Sequence, residues 1–134
     1  MMKKIDHIGI AVKDLEASNK LFASLLNTDC YKIEDLPNQK VLTSFFKTDT
    51  QKIELVAATD PTSPISSFLD KRGEGIHHIA FEVEDIHLEI MRLKSEGFIP
   101  LSEKPTVGAD NKLVVFFHPK STNGVLIELC QEIK

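Results

Sequence analysis

His7-Ile-Gly-Ile-Ala-Val-Lys-Asp14 and His78-Ile-Ala-Phe-Glu-Val-Glu-Asp85 are two versions of one segment. His, Ile, Val and Asp recur at the same four places, with Gly9 opposite Ala80 and Ile10 opposite Phe81. The second copy begins 71 positions after the first. Each copy is followed by a short apolar run carrying one glutamate, Lys52-Ile-Glu-Leu-Val56 and Leu126-Ile-Glu-Leu-Cys130, so Glu54 and Glu128 correspond as His7 and His78 do. A unit that supplies one histidine and one carboxylate per copy points to a divalent metal site, because neutral imidazole and carboxylate together suit ions such as Co²⁺, Mn²⁺, Ni²⁺ or Zn²⁺.

Around each histidine the alternation has a period of two, as in a strand. Ile8, Ile10 and Val12 fall on one face and His7, Gly9 and Ala11 on the other, so the histidine shares its face with small residues and leaves room above it. Asp14 and Asp85 are placed to cap the helices that follow. In the first helix Leu15, Leu21, Phe22, Leu25 and Leu26 are the expected buried stripe, and the second runs from Ile86 to Glu96 before Gly97. Strands are expected at Cys30–Leu36, Val41–Lys47 and Ile53–Ala58 in the first half. In the second half they are expected near Phe98–Leu101, at Leu113–Phe117 and at Val125–Cys130. Ser63 and Pro64 open a short linking helix that Gly73 ends. Pro105–Asn111, rich in turn formers, is expected to be a loop suited to serve as a lid.

Two tandem βαβββ modules of this kind predict an α+β fold, a curved mixed sheet around a metal site. The chain of 134 residues is expected to be one domain, 1–134, with module one at about 1–60, a linker helix at about 61–74 and module two at about 75–134. The helices would cover the sheet face bearing Ile8, Ile10, Val12, Ile79, Phe81 and Val83, and the opposite face would present His7, Glu54, His78 and Glu128 as metal ligands. Taken alone, a glutamate in an aliphatic strand is either outward and solvated or inward and paired, since an unpaired buried charge is costly. The repeat favours the inward reading at both places. Period two sends His77 to the helix-covered face, leaving His78 as the ligand; His87 and His118 are not expected to bind metal, though His118 is placed to face a pocket mouth.

The formal charge of −4, from 16 Lys and Arg against 20 Asp and Glu, argues against nucleic acid as a partner, because phosphate binding needs a basic face. Two cysteines, Cys30 and Cys130, in a domain able to build its own core fit a reducing compartment. With no signal-like stretch behind Met1-Met-Lys-Lys-Ile5 and no apolar run of membrane-spanning length, the expectation is a cytoplasmic protein with no membrane partner.

Four stretches carry a family resemblance: His7-Ile-Gly-Ile-Ala-Val12, Ser63-Pro-Ile65, Lys71-Arg-Gly-Glu-Gly-Ile-His-His-Ile-Ala80 and His118-Pro-Lys-Ser-Thr-Asn-Gly-Val-Leu-Ile-Glu-Leu129. They span nearly the whole chain, which resembles the vicinal oxygen chelate (glyoxalase/bleomycin resistance/dioxygenase) superfamily and, within it, the methylmalonyl-CoA epimerase family. The first strand alone marks only the superfamily; the Gly-Ile-His-His and His-Pro-Lys-Ser stretches are the specific ones. The resemblance implies an isomerase that interconverts (2R)- and (2S)-methylmalonyl-CoA in propionate metabolism. The reaction would be a metal-assisted 1,1-proton transfer through an enolate, with Co²⁺ the expected ion and a homodimer the expected assembly.

Some members of that family carry a glutamate on the third strand as base and a glutamine as second metal ligand; the corresponding positions here are Thr43 and Glu54. Threonine is no general base at neutral pH. Glu54 and Glu128 are therefore the expected acid/base pair, as in the related glyoxalase I arrangement, with a Glu54 that only holds the metal as the alternative. Lys71, Arg72, Lys112 and Lys120 are cations that could meet coenzyme A phosphates, and each reads equally well as a solvated surface residue; Gln39 is a candidate pocket residue. A glyoxalase I-type lactoylglutathione lyase, a non-enzymatic drug-binding resistance protein and an iron-dependent ring-cleaving dioxygenase are the rival readings on the same scaffold.

Overall fold

Among the described residues, eight strands and three α-helices follow one another in the order that the repeat predicts. The computed structural model describes residues 2–134; Met1, the first residue of the expected domain, lies outside the described residues. The elements are β1 (Lys4–Ala11), α1 (Leu15–Leu26), β2 (Lys32–Leu36), β3 (Val41–Lys47), β4 (Lys52–Ala58), α2 (Pro64–Arg72), β5 (Gly75–Glu82), α3 (Ile86–Ser95), β6 (Thr106–Val107), β7 (Lys112–Phe117) and β8 (Ile127–Glu132). The fold is a tandem βαβββ arrangement with mixed sheet. The chain divides into two units, His7–His77 and the residues up to Asp6 with His78–Lys134.

In the His7–His77 unit, β1 runs parallel to β4, and β3 lies antiparallel between β4 and β2. One sheet face is apolar and covered by α1: Ile10, Val12, Phe46, Ile53, Leu55 and Ala57 pack against Leu15, Phe22, Ala23 and Leu26. The other face carries His7 and Glu54, and α2 covers part of it by setting Ile65, Phe68 and Leu69 on Ala11, Val41 and Val56. The second unit repeats the plan, with β5 parallel to β8 and β7 antiparallel between β8 and β6. There α3 places Ile86, Ile90 and Leu93 on Phe81, Val115, Phe117 and Leu129.

Local signals in the sequence become caps of identical geometry. Asp14 accepts from Ala17 N–H and Asp85 from Leu88 N–H, each at 3.1 Å, satisfying an orphan donor of the first turn. Ser63 does the same for Ile65 N–H at 3.2 Å, with Pro64 at the first helical position.

Three expectations need correction. Leu21 and Leu25 are not in the buried stripe of α1; they are 65% and 70% exposed. Each precedes a packed residue by one position, which turns it about 100° around the helix and away from the sheet. The segment near Phe98–Leu101 is not a strand. It touches β7 through a bridge at Pro100 and through bonds from Leu101 N–H to Phe116 O (2.8 Å) and His118 N–H to Ile99 O (2.7 Å); Pro100 has no N–H with which to extend a ladder. The outer strand of this unit is instead the two-residue β6, inside the stretch Pro105–Asn111 expected to be loop, where Thr106 and Val107 pair with Val114 and Leu113. Finally β8 begins at Ile127 and not Val125, because the turn through Gly124 (φ 84°) holds Val125 N–H on Thr122 O.

Candidate metal centre

The chain builds the same small device twice. In the first unit the parallel register sets Gly9 beside Glu54, and His7 Nδ1 lies 3.1 Å from Glu54 Oε2. In the second, Ala80 lies beside Glu128, and His78 Nε2 is 3.2 Å from Glu128 Oε1. The small residue at the register position leaves the carboxylate room to reach back to the histidine. All four side chains are buried, between 4% and 6% exposed. An aromatic ring stands opposite each glutamate across the next strand pair, Phe45 opposite Glu54 and Phe116 opposite Glu128. Phe116 also meets His78 edge-on, with ring centroids 5.5 Å apart.

Buried carboxylates beside imidazoles are expensive unless something compensates their charge. A divalent ion does so, and the spacing fits one. Donor atoms about 2.1 Å from an ion, in neighbouring positions at a right angle, lie about 3.0 Å apart. The observed 3.1 and 3.2 Å match that bite within each pair. Asp6, His7 and Glu54 form one buried donor group that could hold a metal ion, and His78 and Glu128 belong to another.

The remaining candidates separate cleanly. His77 is half-buried against the edge of the Phe68 ring, 5.0 Å between centroids, and Arg72 lies over that same ring at 5.8 Å. His87 is exposed on α3. His118 caps a single turn of 3-10 helix, its Nδ1 accepting from Lys120 N–H at 3.1 Å. Thr43 is buried at 2% exposure, two residues along β3 from Phe45. Gln39 sits in the turn before β3, its carbonyl accepting from Ser63 Oγ at 3.4 Å. Lys71, Arg72 and Lys120 are exposed.

Lys112 is the correction. It is not a solvated cation available to a phosphate: it is 6% exposed, and its Nζ donates to Asp6 Oδ1 at 2.8 Å, with Asp6 itself 2% exposed. Sequence reasoning missed this pair. The signal was parity, since Lys112 shares its face of β7 with Val114 and Phe116, the residues paired with Cys130 and Glu128.

Residues 6–116 match the model of the Glyoxalase/Bleomycin resistance protein/Dioxygenase superfamily. The chain belongs to this superfamily. Within it, the chain is 41% identical over 133 residues to an ethylmalonyl-CoA/methylmalonyl-CoA epimerase of Cereibacter sphaeroides, covering 98% of this chain and 99% of the relative. The human mitochondrial methylmalonyl-CoA epimerase is 37% identical over 129 residues, 96% of this chain and 73% of the human one. Among solved structures, the Streptomyces coelicolor methylmalonyl-CoA epimerase in complex with 2-nitronate-propionyl-CoA superimposes with a TM-score of 0.96 at 29% identity, over all of both chains. These named relatives are epimerases, and the glyoxalase-type fold is shared from end to end. Among the described residues, no helix is long and apolar enough to cross a membrane.

Proposed function

We propose that this chain epimerises methylmalonyl-CoA between its (2R) and (2S) forms. The observation that carries the reading is the duplicated buried His–Glu pair, in a chain 41% identical to an epimerase acting on such thioesters. His7, Glu54, His78 and Glu128 would hold one divalent ion, with Co²⁺ expected and Mn²⁺, Ni²⁺ or Zn²⁺ as alternatives. Bound there, the ion supplies Lewis-acid polarisation of the substrate oxygens beside the acidic carbon.

The proton to be moved lies between a thioester and a carboxylate. Inversion needs one group to take it from one side of the planar enolate and another to return one from the opposite side. Glu54 and Glu128, on corresponding strands of the two modules, are assigned those roles: a carboxylate accepts the proton and a carboxylic acid delivers its replacement. Thr43, where part of the family has a glutamate, has no part in proton transfer. The helix α2 packs its apolar residues on the Glu54-bearing face at that end of the sheet. The chain works as a single domain of two modules (about 1–60 and 75–134 around the helix at 61–74), as a homodimer in the cytoplasm.

Each pure epimer mixed with Glu54→Gln or Glu128→Gln enzyme in deuterated water tests the assignment. Each variant should lose about 10²- to 10⁴-fold in turnover and take up deuterium from one epimer only. Full, unselective wash-in by the Glu54 variant would remove Glu54 from the proton relay. Metal-stripped protein should recover activity on addition of Co²⁺, and His78→Ala should not.

A further inference from the structure

We infer that Lys32 binds the free carboxylate of the substrate and so sets a preference for malonyl-type thioesters, a reading that rests on the activity proposed above. The register of the first module puts Gly9, Glu54, Phe45 and Lys32 in one row across β1, β4, β3 and β2. Residues directly opposite one another share a sheet face, so Lys32 lies on the Glu54-bearing side. One end of that face is covered by α2, which packs on Ala11, Leu36, Val41, Val56 and Ala58. The row through Glu54 and Lys32 contains none of those residues.

The ammonium group is drawn in over the sheet. Its Nζ lies 4.7 Å from the centre of the Phe45 ring, and the side chain is 38% exposed. Phe45 is on the strand next to Glu54, and adjacent strands are about 4.8 Å apart, so the charge stands about one strand spacing from β4. In a substrate whose acidic carbon lies at Glu54, the carboxylate is one bond from that carbon, whereas the phosphates of coenzyme A lie at the far end of the pantetheine arm. The spacing favours the carboxylate. Glu34, on the same face, stands 3.7 Å from Nζ, and an ammonium with three donors accommodates a second carboxylate beside it. The second module differs: where the first sets Lys32 against Phe45, it sets Leu101, whose N–H bonds the carbonyl of Phe116. A cation at this place in one module only gives an unsymmetrical ligand a direction.

The test measures binding of methylmalonyl-CoA and of isobutyryl-CoA, which has a methyl group in place of the carboxylate, to wild-type, Lys32→Met and Lys32→Arg proteins by calorimetry. Lys32→Met keeps an apolar stem over Phe45 and removes the charge. It should bind methylmalonyl-CoA about 10-fold more weakly and isobutyryl-CoA as wild type does, while Lys32→Arg stays close to wild type on both. In turnover the loss should fall on KM, with kcat and Co²⁺ affinity unchanged. Undiminished binding of methylmalonyl-CoA by Lys32→Met would overturn the inference and leave the epimerase reading intact. Equal weakening of both thioesters would also overturn it, leaving the coenzyme A phosphates as the bound group. A wild-type protein that shows the expected binding pattern without epimerising its ligand would sink the proposed activity and keep the carboxylate site. One that does not bind methylmalonyl-CoA would remove both.

Discussion

The module built on His7 and Glu54 and the module built on His78 and Glu128 agree where the His–Glu pairs sit and diverge around them. Nitrogen-to-oxygen distances of 3.1 and 3.2 Å, a ring opposite each glutamate, and helix caps of equal length recur in both. Beside these, β2 has five residues and its counterpart β6 only two, and Val41 faces Lys112 across the alignment. α2 lays Ile65 over the Glu54-bearing sheet face of the first module. The duplicated fold holds these features in common. Elsewhere each half is free to specialise, and the specialisation here is electrostatic.

The sharpest way to break this comparison is to truncate the position at which the halves differ. Lys112→Ala removes the ammonium group that donates to the buried Asp6 carboxylate and should cost about 3–5 kcal/mol in urea unfolding. The matched Val41→Ala removes only hydrocarbon and should cost about 1.5–3 kcal/mol. Equal losses would mean that the ion pair is no different in kind from the valine. The caps test the sameness of the halves: Asp14→Ala and Asp85→Ala should each lower stability by about 1 kcal/mol, and by equal amounts, in paired thermal melts.

The smallest effect distinguishes the helices. On α3, Arg92 bonds Glu89 at 2.9 and 3.1 Å and Glu96 at 2.7 Å, and its bonds to Glu89 hold that carboxyl below the ordinary range of glutamate. α1 has only an exposed Lys20–Glu16 pair at 3.9 Å. A depressed carboxyl contributes stability at pH values above the ordinary glutamate range, and that contribution is lost as the pH falls through the depressed value. Arg92→Ala should therefore destabilise the protein near neutrality and make a shrinking difference on acidification, whereas Lys20→Ala should show no such trend.

How much could be read in advance follows from the range of each interaction. Strand parity along His7–Val12 and His78–Val83, the caps at Asp14, Asp85 and Ser63, and the glutamates centred in Ile53–Leu55 and Ile127–Leu129 were legible because each is written within a few residues. Repetition supplied the rest, since one inward-facing His or Glu is ambiguous and four at matched places are not. Leu21 and Leu25 are apolar yet exposed, because about 100° per residue separates them from Phe22 and Leu26. The edge strand β6 escaped because Thr106 and Val107 gain strand character only by bonding to β7.

From the amino-acid order alone came the duplication, the order of strands and helices, and the four residues proposed as ligands. Their burial, the spacing within each His–Glu pair, and the fate of Lys112 were decided by folding. Asp6 and Lys112 are 106 residues apart, and nothing near either one names the other. Alternation is enforced by neighbours along the backbone, whereas a buried charge is satisfied by whatever the fold brings within 3 Å of it.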